Sequence, residues 1–278
     1  MSDFLGYKGK RVIVTGVFSG MGEATAKLLT ELGAEVHGFD YKDSALSLAS
    51  FTKVDLRDPE SIEAGVASLG NGRVDALFNC AGLPGGGSFA PIDTMKVNFI
   101  GTRHLTETIL PLMGEGSAIA SIASTGGLGW SRRIPVHIGL LQTRGFQAAL
   151  DWAEANADQV AEGYAFSKEA VIVWTQFTGA HLIKKGIRIN CTLPSPTQTP
   201  MMETFHATSG KDVVDAAAEP MGRYSTPAEQ AGGIVLLNSA LASIVNGVVL
   251  PVDGGFMGGV ATGQVDLSKM MRKAAPAG

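Results

Sequence analysis

Arg11-Val12-Ile13-Val14-Thr15-Gly16-Val17-Phe18-Ser19-Gly20-Met21-Gly22, running directly into the helical pattern EATAKLLTEL, is the stretch on which the fold turns. A short apolar, β-rich run meets three spaced glycines and then a helix, so the order is strand, tight turn, helix. Gly16 permits the turn, Gly20 lets backbone approach a phosphate, and Gly22 lets the helix pack closely on the strand. The helix N-terminus then offers unpaired N–H groups and a partial positive charge to an anion. A purely structural turn and the turn of a methyltransferase share this pattern. A P-loop does not, because Glu23 stands where a Lys-Ser/Thr pair is required.

Outward from this stretch, β-rich runs alternate with helical patterns, which predicts right-handed βαβ crossovers. Strands are expected at 11–15, 35–39, 52–54, 76–79, 117–121, 188–193 and 248–252. The fold class is therefore α/β: a single-domain Rossmann fold with a doubly wound, seven-stranded parallel sheet and helices on both faces. Asp58-Pro59 and Thr226-Pro227 each supply an N-cap and a proline at the first helical position, and Gly33 stands where a helix C-terminus takes glycine. Residues 1–256 form the expected catalytic domain, and 257–278, without periodic pattern, an expected tail that is disordered in part or packed on a neighbouring subunit.

Composition narrows the function. With 278 residues, 45% hydrophobic, the chain can bury one large core. Its net charge of −4 and scattered Lys and Arg argue against nucleic acid. His37, His104, His137, His181 and His206 show no metal-ligand spacing, so no metal site is expected. Cys80 and Cys191 lie in apolar, strand-like runs and read as free buried thiols. The N-terminus carries no apolar secretory segment, and the apolar run at 231–252 is broken by Asn238, Asn246 and glycines into helix, turn and strand. A cytoplasmic chain with no membrane partner is expected.

Asp40 ends the second strand eighteen residues after Gly22, the position of an acid that binds a ribose diol and repels a 2′-phosphate. Val17, Phe18 and Tyr41 offer no arginine clamp, so NAD is favoured over NADP. Asp55 is either a partner for the adenine amino group or a capping residue ahead of the next helix. Ser19, Met21 and Leu56 join Gly16, Gly20, Gly22, Asp40 and Asp55 as cofactor-contact candidates.

In GYAFSKEAVIVWTQF, Tyr164 and Lys168 are four residues apart, on one helix face. A tyrosine of pKa ~10 becomes a base near neutrality only if the phenolate is favoured by roughly 3–4 kcal/mol. A lysine cation at ~4 Å in a partly buried site supplies on the order of 4 kcal/mol. Alone, such a pair is commonly a helix-surface feature. Here it accompanies the glycine turn, Asn79-Cys80-Ala81-Gly82, Asn98 and Ser124, and over residues 10 to 256 the chain resembles the short-chain dehydrogenase/reductase family.

The resemblance implies roles. Asn79-Cys80-Ala81-Gly82 is similar to the family's Asn-Asn-Ala-Gly element, with Cys80 in place of the second asparagine; it supports the sheet and lines the adenosine side. Asn98 matches the asparagine whose helix kink holds a water linked to the lysine. Ser124 matches the serine that hydrogen-bonds substrate oxygen, with Ser121 as the competing assignment. Pro194, Thr197 and Thr199 match the loop that contacts the nicotinamide carboxamide, with Ser195 replacing the usual glycine. Tyr164 and Lys168 then exchange the proton and bind the nicotinamide ribose.

Ser124 and Tyr164 are 40 positions apart, where the family usually has about a dozen, so an insertion occupies 126–162. Phe146, Leu150 and Ala153 form one helical stripe within it. A similar insertion, and the run SKEAVIVWTQ, resemble the branch of bacterial 3α-hydroxysteroid and coniferyl-alcohol dehydrogenases. A bulky apolar alcohol or ketone is the expected substrate, steroid-like, aromatic or alicyclic. Equally open is a subunit-interface role for the insertion, in a homodimer or homotetramer. Residues 201–221, with Met201, Met202, Phe205 and His206, read as a mobile lid or as ordinary core. The alternatives in function are a silent dinucleotide sensor and an NADP-dependent carbonyl reductase.

Overall fold

The computed structural model describes residues 3–266. In chain order its first half runs β1 (Arg11–Thr15), α1 (Gly20–Glu31), β2 (Glu35–Asp40), β3 (Ser50–Lys53), α2 (Pro59–Ala67), β4 (Ala76–Asn79), α3 (Pro91–Met95), α4 (Thr102–Ile109) and β5 (Ala118–Ile122). The second half runs α5 (Ile134–Leu141), α6 (Gly145–Ala155), α7 (Ala157–Val160), α8 (Tyr164–Leu182), β6 (Arg188–Pro194), α9 (Met201–Ser209), α10 (Lys211–Ala216), α11 (Pro227–Asn238), β7 (Val249–Val252) and α12 (Phe256–Ala261). The seven strands pair in parallel in the order β3-β2-β1-β4-β5-β6-β7. Strand order reverses between β1 and β4, and the crevice at the carboxyl ends of those two strands is where such sheets bind ligands.

Alternation along β1 splits the core into two layers. Val12 and Val14 face α1 and α11 together with Phe78, Ala120, Ala26, Leu29, Ile234 and Val235. Ile13 faces the other way, with Leu77, Ile119 and Ile189 of successive strands, against Ile62 of α2, Leu105 of α4 and Ile172 of α8. These side chains are buried, and each such burial stabilises the fold by about 1.5–3 kcal/mol. The helix ends follow the local signals. Asp58 accepts from Glu60 N at 3.0 Å ahead of Pro59, Thr226 and Glu229 form a reciprocal capping box, and Gly33 has a left-handed φ of 81° just past α1.

Several strand limits move by one or two residues. β2 ends on Asp40 and β6 runs one residue further than expected to Pro194, and these two residues pair with Lys53 and Val252. β3 begins at Ser50, β5 spans Ala118–Ile122, and β7 begins at Val249. The run 231–252 resolves into α11, a turn and β7, and no described helix is long and apolar enough to cross a membrane. Past Gly255 the expected patternless tail begins instead with α12. Phe256 is fully buried, and the Asp253 carboxylate accepts from Gly255 N and Met257 N at 2.9 and 2.7 Å, which fixes the first turn. The rest of the tail, 267–278, lies outside the described residues.

The insertion forms a 3₁₀ stretch, Thr125–Arg132, followed by α5, α6 and α7. Its body packs on the outer face of α8 and on α4. Phe146, Ala149 and Ala153 are buried, Trp152 stacks on Phe166, and Arg103 of α4 donates to the carbonyls of Leu140 and Thr143. Leu150, partly exposed, completes the expected stripe. Placement beside a substrate mouth therefore holds only for the two ends of the insertion.

Candidate active site

The glycine turn is built as a cradle. Gly16 and Gly20 have φ of 76° and 66°, where a side chain is strained, and a Cβ on Gly16 would sit 2.8 Å from Ala81 backbone. A Cβ on Gly22 would meet Gly16 O at 2.2 Å, so α1 packs on the end of β1 at a distance only glycine allows. Ser19 is the N-cap of α1 yet its hydroxyl makes no capping bond, which leaves the first-turn N–H groups unclaimed by it. The Thr15 hydroxyl accepts from Cys80 N and Ala81 N, both at 3.0 Å, and thereby ties the end of β1 to the loop after β4. Met21 and Gly82 line the same cavity.

Asp40 is buried at the tip of β2, where its carboxylate accepts from Phe18 N at 3.0 Å and Lys42 N at 2.9 Å. Both bonds use backbone donors and fix its orientation. The Lys42 ammonium lies over the rings of Phe18 and Tyr41, 4.9 and 5.3 Å from their centroids. Asp55 is not the cap of α2, a part taken by Asp58. Its carboxylate is gripped by Arg57, at 2.6 Å from Nη2, and that hydrogen bond, against the opposing effect of burial, holds its pKa below the ordinary value. The Leu56 side chain is buried in the core, so any contact with a dinucleotide falls to its backbone. Asn79 likewise faces inward: its Nδ2 donates to Thr106 Oγ1 at 3.1 Å and Ser121 Oγ at 3.2 Å, joining β4 to β5.

The two candidate serines sit differently. Ser121 is buried in the sheet, whereas Ser124 opens the 3₁₀ stretch, its Oγ accepting from Gly126 N at 2.9 Å. A Cβ on Gly126 would lie 3.3 Å from both Ser124 Oγ and Tyr164 Cε1, which places the serine and the tyrosine on either side of one glycine. Tyr164 and Lys168 share the first turns of α8, and Asn98 sits in a π-helical turn, Lys96–Gly101, the kink expected there. Asn98 accepts from Leu83 N at 2.7 Å and donates to Leu83 O and Ser167 Oγ, both at 3.0 Å. These bonds fasten the loop after β4 to α8.

Burial and one backbone carbonyl set the electrostatics of the pair. Lys168 Nζ is 5.7 Å from the Tyr164 ring centre and donates to Ile122 O at 2.7 Å. Burial pushes its pKa down to about 8. Burial also raises the Tyr164 pKa, and a hydrogen bond from Ser124 works in the opposite direction. The flexible lysine stem thus reaches the β5 carbonyl while its ammonium stays beside the tyrosine ring. Cys80 and Cys191 are free, and burial raises both thiols to about 12, so neither is a thiolate nucleophile near neutrality. No group of three or more metal-binding side chains occurs among the described residues.

Above these groups lies a cavity of about 550 Å³. Its floor holds Ser124, Tyr164 and Lys168, one side Pro194, Thr197 and Thr199, and its upper wall Phe89, Met201, Met202, Phe205 and Phe256. Phe205 meets the Tyr164 ring edge-on with centroids 5.0 Å apart. α9 has no fully buried residue, so Met201, Met202 and Phe205 form a cavity wall rather than ordinary core. Ser195 replaces the family glycine without a left-handed φ, since no described residue other than glycine has one. It is buried, with its hydroxyl 3.4 Å from Ser225 Oγ. Of the insertion, Gly126, Ala161 and Glu162 reach the cavity. Sequence reading missed the loop Gly85-Gly86-Gly87, all three of positive φ, where a Cβ on Gly85 would meet Tyr164 Cβ at 2.9 Å. The run of three glycines is itself the available signal.

Comparison with known proteins agrees with this geometry. A family profile described as short chain dehydrogenase matches residues 10–135, and one described as enoyl-(acyl carrier protein) reductase matches 148–257. The chain is 33% identical to coniferyl-alcohol dehydrogenase of a Pseudomonas species over 88% of this chain and 96% of that one. It is 30% identical to 2,5-dichloro-2,5-cyclohexadiene-1,4-diol dehydrogenase of Sphingobium indicum, over 92% and 99%. Among solved structures, a Pseudomonas 3-alpha-hydroxysteroid dehydrogenase complexed with NADH superposes with a TM-score of 0.77 at 26% identity, covering 92% of this chain and all of that one.

Proposed function

The chain belongs to the short-chain dehydrogenase/reductase family of oxidoreductases, and from that premise we propose that it is an NAD-dependent enzyme interconverting a bulky apolar alcohol and its carbonyl. The observation that carries the reading is the convergence of Ser124, Tyr164 and Lys168 on the floor of one cavity whose upper wall is apolar. Gly16, Ser19, Gly20, Met21 and Gly22 would hold the pyrophosphate, and Asp40 the adenosine ribose. Ala81 and Gly82 would line the adenosine side, and Pro194, Thr197 and Thr199 the nicotinamide. The fit rests on the side-chain-free glycine cradle, the first-turn N–H groups of α1 and the buried Asp40 carboxylate. When bound, the dinucleotide would supply the hydride acceptor for the alcohol or the donor for the carbonyl.

The proton chemistry belongs to the chain. Ser124 donates to the substrate oxygen, and Tyr164 takes its proton in oxidation or supplies it in reduction. A positive charge beside the ring favours the phenolate, so Lys168, with Nζ 5.7 Å from the ring centre, works against the burial that favours the neutral tyrosine. Asn98 holds the loop after β4 against α8, and with it the lysine.

The upper wall supports a ring-bearing substrate, since Phe89, Phe205 and two methionines offer contact but few hydrogen bonds. The named relatives, for a coniferyl alcohol, a cyclohexadiene diol and a hydroxysteroid, support the same class. Leu236, Leu241, Ile244 and Phe4 are exposed near the turn between α11 and β7 and support a homodimer or homotetramer. Absorbance at 340 nm with NAD and a panel of aryl, alicyclic and 3α-hydroxysteroid alcohols tests the proposal. Turnover confined to ring-bearing alcohols sustains it; dinucleotide binding without turnover of any alcohol or carbonyl supports a silent sensor instead.

A further inference from the structure

We propose that Arg133 and Glu169, with His137, form a positioning device by which the insertion braces the turn of α8 that carries Tyr164 and Lys168. The inference rests on the reading that those two residues handle the proton. The N-cap of α8 is Gly163, with φ of 49° and no side chain to cap with, so the first turn lacks the usual local restraint. Arg133 supplies one across the turn. Its Nε and Nη2 donate to the two oxygens of Glu169 at 2.8 Å each, and Nη2 also donates to Glu162 Oε2 at 2.6 Å. One guanidinium thus spans from the residue ahead of the helix to the residue after Lys168.

The brace is built into the core. The Glu169 side chain is 2% exposed and that of His137 is fully buried, with His137 Nε2 3.0 Å from Glu169 Oε2. Burial works against the Glu169 carboxylate, but hydrogen bonds from His137 and Arg133 and the Arg133 charge outweigh it and keep its pKa below the ordinary value. Phe166, fully buried between Tyr164 and Lys168 in sequence, is packed by the same elements. His137 lies 4.5 Å from its ring centre, the Arg133 guanidinium 5.4 Å and Trp152 6.4 Å.

The serine is coupled to the same brace. The 3₁₀ stretch that begins after Ser124 ends just before Arg133, and it lies on α8 through glycines. A Cβ on Gly127 would meet Lys168 C at 3.1 Å, and one on Gly129 would meet Glu169 Oε1 at 2.5 Å. The Arg133–Glu169 fork therefore sets the spacing between Ser124 on one segment and Tyr164 on the other. A buried ion pair is weak support for stability and a better candidate for fixing geometry.

The test uses Arg133→Lys, which keeps the charge but cannot fork across two carboxylates, and Glu162→Gln, whose 60% exposed side chain is dispensable for folding. The expected result for Arg133→Lys is an unchanged KM and NAD affinity with kcat down about tenfold, within reach of a sub-ångström displacement. Glu162→Gln should lose about threefold in kcat, and because its side chain also lines the cavity it is read by kcat and the titration and not by KM. In both, the Tyr164 titration, read at 295 nm in the NAD complex against Tyr164→Phe, should shift upward. Wild-type kcat and an unmoved titration in both variants would overturn the proposal. Should Arg133→Lys fail to fold, Glu162→Gln decides alone. The titration needs no turnover, so an enzyme inert toward every alcohol refutes the functional reading without deciding this one.

Discussion

Asp40→Asn removes one charge and turns one of two acceptor oxygens into a donor. In the native chain both carboxylate oxygens are oriented by backbone donors, Phe18 N and Lys42 N, at 3.0 and 2.9 Å. A ribose diol adds charge-assisted hydrogen bonds worth about 1.5–3 kcal/mol each, and the neutral amide retains roughly half of that, a loss of about 2 kcal/mol. A 2′-phosphate about 4 Å from the carboxylate meets a repulsion of about 4 kcal/mol per unit charge at an effective dielectric of ~20, which the substitution abolishes. With partial solvent screening, the preference for NADH over NADPH should fall by two to three orders of magnitude, a change of about 3–4 kcal/mol. Lys42, already within reach over Phe18 and Tyr41, adds to the gain for the phosphate. The assay is titration of the two reduced dinucleotides by quenching of tryptophan fluorescence. Equal affinities in the native protein, or an unchanged ratio in the variant, would refute the reasoning.

Two further perturbations probe the frame of the site. Lys168 titrates at about 8 in the fold against an ordinary 10.5, so between those values the unfolded chain binds more protons and stability rises with pH, by about 3 kcal/mol in all. The unfolding free energy of the native protein minus that of Lys168→Met should climb across this window in denaturant titrations, and a flat difference contradicts the burial argument. Gly22→Ala puts a methyl 2.2 Å from Gly16 O, a backbone atom that cannot swing aside; expected are a loss of about 2–3 kcal/mol and abolished NADH binding, against a native-like melt if the contact can relax.

The sheet was legible because its signal is local: a glycine turn between strand and helix, short β-rich runs, and proline-led caps at Asp58 and Thr226. Gly16, Gly20, Gly22 and Asp40 followed from spacing alone, since backbone geometry places them. Side chains on long stems did not. Helix spacing puts Lys168 on the face of Tyr164 but gives no sign of its hydrogen bond to the carbonyl of Ile122, 46 residues away. The insertion was visible as a helical stripe, yet periodicity does not say what a stripe covers, and its partners on α4 and α8 come from distant sequence. Glu169 was legible only as an acid heading the apolar run AVIVW, and α12 not at all, because its first turn depends on Asp253 and the burial of Phe256.

The central claim is that Tyr164 exchanges the substrate proton, and it is tested most directly by kcat/KM of the native enzyme and Tyr164→Phe on the best alcohol, with NADH binding measured on both. The account predicts intact NADH binding and a loss of about 10²–10⁴-fold in kcat/KM. A Tyr164→Phe enzyme that binds NADH and turns over within a few-fold of the native rate would contradict it.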